Sequence, residues 1–94
     1  MREKFVEQKL VMAVKAMGGI APKFTSPGMA GMPDRLILLP DGKMGFVELK
    51  APGKKPRPIQ VARISQLRRL GFKVYVVDGV AQIGSVLDDI EEDA

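Results

Sequence analysis

The sequence predicts an α/β fold whose elements run α, β, β, β, α, β, α around a mixed sheet. Three observations carry this expectation. Two apolar runs flank the turn Pro40-Asp41-Gly42-Lys43, which is the pattern of a β-hairpin. Three stretches repeat apolar residues at helical spacing, one before the hairpin and two after it. At 94 residues the chain is too short for two independent cores, so residues 1–94 are expected to form one domain.

In chain order, residues 2–17 hold good helix formers with Val6, Leu10, Val14 and Met17 on one face, and Gly18-Gly19 supplies the stop. Residues 20–25 are extended, and Pro22 suits an edge strand because proline has no N–H for a ladder. Residues 26–32, SPGMAGM, read as a flexible loop. Residues 35–39 and 44–50 are the hairpin strands, and residues 51–58, APGKKPRP, form a basic loop. A helix over residues 59–70 follows, with Pro58 near its first turn and Gly71 just past its end. Residues 72–77, FKVYVV, alternate weakly and then run apolar, as a buried central or parallel strand does. Asp78-Gly79 turns the chain into a last helix over residues 80–90.

Composition narrows the chemistry. With 46% apolar and 28% charged residues the chain has the make-up of a folded protein. It has no Cys and no His, which excludes disulfides, Cys or His zinc sites, a thiol nucleophile and a histidine base. Carboxylates, lysine, hydroxyls or an oxygen-ligated metal remain. The start MREKFVEQK lacks a signal-peptide apolar core and no apolar run approaches 18 residues, so a cytoplasmic protein is expected. The net charge of +4 conceals an asymmetry. Residues 1–78 carry all 15 Lys and Arg against six acids, while residues 79–94 carry five acids and no base. A body this basic favours a polyanionic partner such as nucleic acid.

The hairpin is the first place where chemistry converges. With a three-residue loop, Pro40 to Gly42, Leu39 pairs with Lys43 and Asp34 lies opposite Glu48, with Lys50 on the same face. Opposed carboxylates have Cβ atoms about 4.5–5.5 Å apart and repel unless a cation lies between them. With a two-residue Asp-Gly loop the register moves by one, and Arg35 opposes Glu48 as an ordinary salt bridge. Met44 and Phe46 share the face of Glu48, so that face is partly buried, and an unpaired carboxylate there is costly. Glu7 lies with Leu10, Val14 and Met17 on the inward face of its helix, either as a solvated edge residue or as a further carboxylate at the same site. Gln60 shares a face with Ile64 and Leu67, either as a satisfied core amide or as a group oriented toward substrate or Lys50. Lys54, Lys55 and Arg57 follow Lys50 in one proline-restrained loop, placed to track phosphates.

The segment Gly31-Met32-Pro33-Asp34-Arg35, followed by Glu48-Leu49-Lys50, resembles the PD-(D/E)xK nuclease signature, with Pro33-Asp34 as its first half and Glu48-x-Lys50 as its second. Together with the preceding helix carrying Glu7 and the following helix carrying Gln60, the set resembles the virus-type replication-repair nuclease (VRR-NUC) family, particularly its small stand-alone phage members, over roughly residues 3–87.

The resemblance implies a restriction-endonuclease-like α/β core and phosphodiester hydrolysis dependent on a divalent metal, Mg²⁺ or Mn²⁺. For stand-alone members it further implies a homodimer that cuts branched DNA such as Holliday junctions, acting in the host cytoplasm where the chain is phage-encoded. Carried over residue by residue, it makes Asp34, Glu48, Lys50, Glu7 and Gln60 catalytic. Asp34, Glu48 and the backbone carbonyl of Leu49 become metal ligands, with Glu7 on a second ion or a metal-bound water. Lys50 would orient the attacking water or neutralise charge, and Gln60 would orient Lys50 or a phosphate. Less selective or flap-type cleavage, and a non-catalytic DNA-binding module of the same fold, are the alternatives. The outer apolar residues Val11 and Met12 of the first helix, and Val86, Leu87 and Ile90 of the last, are candidate dimer contacts.

Overall fold

The computed structural model describes residues 2–92. Helix α1 (Glu3–Ala16) is followed by strand β1 (Arg35–Leu38), strand β2 (Met44–Leu49), helix α2 (Pro58–Arg69), strand β3 (Val74–Val77) and helix α3 (Ile83–Glu91). The sheet order is β1-β2-β3, antiparallel between β1 and β2 and parallel between β2 and β3. The mixed sheet is therefore as expected.

Strand alternation sorts the core into two layers. Ile37, Leu39, Val47, Leu49 and Val77 pack against Val6, Leu10 and Val14 of α1 and against Ile83, Val86, Leu87 and Ile90 of α3. Phe46 and Val74, on the other face, pack against Ile64 and Leu67 of α2, joined by Phe24, Met32, Leu36, Met44 and Val76. Strand β2 is covered on both sides. At Gly45 a Cβ would stand 2.8 Å from Ile90 Cδ1, so the missing side chain is what lets α3 lie so close to the central strand.

Pro40–Gly42 forms a short 3₁₀ turn, with Asp41 and Gly42 at φ 66° and 72°. Leu39 N–H donates to the Lys43 carbonyl at 2.8 Å, and Arg35 pairs with Val47. The loop is thus three residues long, and of the two registers considered, the one that places Asp34 opposite Glu48 is realised.

Three expectations change in detail. Residues 20–25 form two isolated bridges, Ile20 to Leu38 and Lys23 to Arg35, instead of a strand. Leu36 N–H donates to the Pro22 carbonyl, but Pro22 has no N–H to return, and the ladder breaks at that missing bond. The start of the last helix, Val80–Gln82, is a 3₁₀ turn. Val86, Leu87 and Ile90, considered as dimer contacts, are core residues instead, because Gly45 allows α3 to sink its apolar side into the sheet.

Strand β3 is an edge. Its Val74 carbonyl accepts from both Nε and Nη2 of Arg68, at 3.1 and 2.7 Å.

Candidate active site

The site forms where the hairpin opens. Asp34 immediately precedes β1 and Glu48 is the fifth residue of β2, so both carboxylates face the α2 side of the sheet. Asp34 Oδ2 accepts from the Leu49 N–H at 2.9 Å. Lys50 N–H bonds the Val77 carbonyl of β3, so by strand alternation the Leu49 N–H and C=O both point to the β1 side, where Asp34 lies.

Glu48 is 1% exposed. Its Oε2 accepts from Gln60 Nε2 at 2.8 Å and lies 3.1 Å from Lys50 Nζ, while its Oε1 is buried with no hydrogen-bond partner among the described residues. Burial pushes the Glu48 carboxyl above its ordinary value. The Lys50 hydrogen bond and charge oppose the shift, and the charges of Asp34 and Glu3 add to it. An isolated anionic oxygen in a dry place, opposite a second carboxylate, is an arrangement that a cation completes. The donors are hard oxygens, which suits Mg²⁺ or Mn²⁺, ions commonly held by one or two carboxylates with water and phosphate oxygens filling the remaining positions. Asp34, Glu48 and the Leu49 carbonyl therefore fit such an ion.

Gln60 is the third residue of α2, and its Oε1 accepts the Arg57 N–H at 2.8 Å, satisfying one of the free donors at the helix start. That bond fixes the amide's orientation, because a backbone N–H can only donate, and so Nε2 must face Glu48. Gln60 thus holds Glu48; the expected contact with Lys50 is absent from the described side-chain bonds of Gln60. Lys54, Lys55 and Arg57 are exposed in the loop that leads from Lys50 to α2.

Glu7 lies apart from this cluster. It accepts from Arg35 Nε and Nη2 at 3.2 and 2.9 Å, and Arg35 also donates to the Ala21 carbonyl. Arg35 is on the α1 face of the sheet, opposite in sense to Asp34, so the sheet separates Glu7 from Glu48. Glu7 is thus held by Arg35 and makes no described bond to Asp34, Glu48 or Lys50, and the register sets aside the Arg35–Glu48 pair. The carboxylate of α1 that the Glu48 environment does sense is Glu3, in the first helical turn. Sequence reasoning passed it over because it lies outside the apolar stripe of α1; its position at the start of the helix was the available signal.

The VRR-NUC domain model matches residues 4–81 of the chain. The chain belongs to the VRR-NUC family. Among curated relatives, "Putative nuclease p44" of Acyrthosiphon pisum secondary endosymbiont phage 1 is 53% identical over 77 residues, covering 82% of this chain and 83% of that protein. A solved VRR-NUC domain structure superposes with a TM-score of 0.84 at 32% identity, covering 92% of this chain and 94% of its own. The fold is accordingly of the PD-(D/E)xK type, and Asp34, Glu48 and Lys50 are the residues that meet at the mouth of the hairpin.

Proposed function

We propose that this VRR-NUC protein is a divalent-metal-dependent endonuclease that hydrolyses phosphodiester bonds in branched DNA, four-way junctions foremost, as a homodimer in the cytoplasm of the host cell. The observation that supports it is the orphaned, buried Oε1 of Glu48 opposite Asp34 and beside Lys50.

Asp34, Glu48 and the Leu49 carbonyl would hold Mg²⁺ or Mn²⁺. The ion supplies, when bound, an activated water and charge compensation at the phosphate. Lys50 is poised by its bond to Glu48 Oε2 to orient the attacking water and to offset charge growing on the phosphate oxygens. Gln60, tied at one end to the start of α2, keeps the Glu48 carboxylate from turning away. Lys54, Lys55 and Arg57 would grip phosphates beside the cleavage point without reading sequence.

One protomer offers one site, and paired cuts in a symmetric junction call for two sites related by a two-fold axis. The outer face of α1, with Met12 exposed and Val11 half-buried, is the surface proposed for that contact. No helix among the described residues is long and apolar enough to cross a membrane.

The test is a cleavage panel. Purified protein is incubated with four-way junction, flap, linear duplex and single-stranded DNA, each with Mg²⁺, Mn²⁺ or EDTA. Metal-dependent cutting that favours the junction supports the proposal; cutting that survives EDTA overturns the metal reading, and equal cutting of all four overturns the branch selectivity. Sedimentation equilibrium should find twice the chain mass.

A further inference from the structure

The loop before Asp34 is anchored at its base and apolar at its tip. Phe24 and Met32 pack into the α2-side core and Pro33 is fully buried. Arg63 Nε donates to the Ala30 carbonyl at 3.0 Å, tying the loop to the middle of α2. Gly31 lies so close to the first turn of that helix that a Cβ would stand 2.6 Å from the Ile59 carbonyl. Met29 N–H closes a turn onto the Ser26 carbonyl at 3.1 Å. Held this way, Met29 projects with 46% of its surface exposed, and Ile59 beside the loop is 42% exposed.

Cations accompany these two apolar side chains: Arg63 on α2 is bonded to Ala30 beside Met29, Arg57 stands two residues before Ile59, and Lys54 and Lys55 are exposed in the loop that leads to α2, while the carboxylate of Asp34 lies at the base of the Met29 loop. A phosphate backbone drawn to those cations brings its bases within reach of the tip. In continuous duplex the base faces are stacked on one another and only groove edges are offered. At a branch point a base face can be bared, and an apolar wedge lowers the cost of baring it.

We infer that Met29, backed by Ile59, is a branch-sensing wedge that packs against the face of an unstacked base next to the cleavage site. The inference rests on the nuclease reading above and deepens it by naming the residue that distinguishes a branch from continuous duplex. Met29 touches no reacting atom, so it sets substrate preference and not the chemical step.

The experiment has two arms. In the first, a four-way junction carrying 2-aminopurine beside the branch is titrated with protein in EDTA, where nothing is cut. Wild type should raise the probe's emission as the base leaves its stack, Met29→Ala should lose most of that rise, and Met29→Leu should retain it. In the second, the ratio of junction to duplex cleavage with Mg²⁺ should fall about tenfold in Met29→Ala, the scale of removing one apolar packing partner, which is about 1.4 kcal/mol. Leu70→Ala, at the far end of α2, should keep the wild-type ratio. An unchanged emission rise in Met29→Ala overturns the wedge, as does an unchanged cleavage ratio. A protein that cuts no DNA in any metal but still gives a Met29-dependent rise overturns the nuclease reading and leaves the wedge standing.

Discussion

Replacing Glu48 by Gln is expected to abolish cleavage while making the metal-free protein more stable, a combination that an ordinary core substitution would not give. In the folded state Glu48 is buried, one oxygen lacks a partner among the described residues, and Asp34 faces it across the hairpin. Its carboxyl is therefore raised above the ordinary value of 4.5, with burial the largest cause. The sign follows by linkage. A carboxyl raised on folding contributes its full stability below its unfolded value and loses it as pH climbs through the folded value, so at neutral pH the ionised Glu48 costs the apo fold stability. Gln keeps the volume, can accept from Gln60 and Lys50, and presents an N–H₂ toward Asp34. Relief of one unsatisfied buried group is worth about 1–3 kcal/mol. For a domain of this size each kcal/mol moves the melting temperature by about 4–8 °C. Thermal melts in EDTA at pH 7.5 should place Glu48→Gln above wild type, and the gap should narrow as pH falls toward 4.5. Mg²⁺ should reverse the order, since an ion at a hundred times its Kd stabilises wild type by about 2.7 kcal/mol and is short of a ligand in the variant. A variant that melts below wild type in EDTA, with no Mg²⁺ shift in either protein, would refute both the buried-charge argument and the metal assignment.

Lys50→Ala should slow cleavage by about 10² or more, the scale of losing one preorganised electrostatic group, with single-turnover kinetics separating this from binding. Lys54→Ala combined with Lys55→Ala should chiefly weaken binding and flatten its salt dependence by about 0.9 in log–log slope for each phosphate no longer neutralised, read by fluorescence anisotropy across a salt series. Glu7→Gln should cost about 1 kcal/mol, as both bonds from Arg35 lose their charge assistance at Glu7, and leave the Mg²⁺ dependence of cleavage intact. Glu3→Gln should do the reverse: little change in melting temperature and a shifted Mg²⁺ concentration for half-maximal cleavage. Equal Mg²⁺ profiles for wild type and Glu3→Gln would remove Glu3 from the site.

The hairpin and its carboxylates were legible because their information is local. The turn signal Pro40-Asp41-Gly42 fixes the hairpin but not its register, since a two-residue and a three-residue loop both fit it; the three-residue loop of the structure is what brings Asp34, Glu48 and Lys50 to one face. The placement of α1 was not local. Its apolar stripe correctly turns Glu7 inward with Leu10 and Val14, but inward means toward one side of the sheet, and nothing in a helical period says which side. The same gap explains α3. Val86, Leu87 and Ile90 look like an unpartnered face until Gly45 of β2, with α2 and β3 between it and α3 in the chain, is seen to leave room for Ile90. Gln60 is intermediate: its inward direction follows from spacing, whereas its grip on Glu48 requires knowing that its other end is taken by the Arg57 N–H.

The Arg68 guanidinium on Val74 has a bearing on colloidal behaviour. The strand Val74–Val77 is short, apolar and open on one side, which is the profile of a template for intermolecular strand growth. Its outward carbonyl at Val74 is already engaged by two N–H groups of a charged side chain from the neighbouring helix. A second molecule seeking to extend the sheet would have to dislodge that cation and then accept its charge at the new seam. At this edge a single arginine therefore does the work of a guard, holding off sheet extension with the charge it carries.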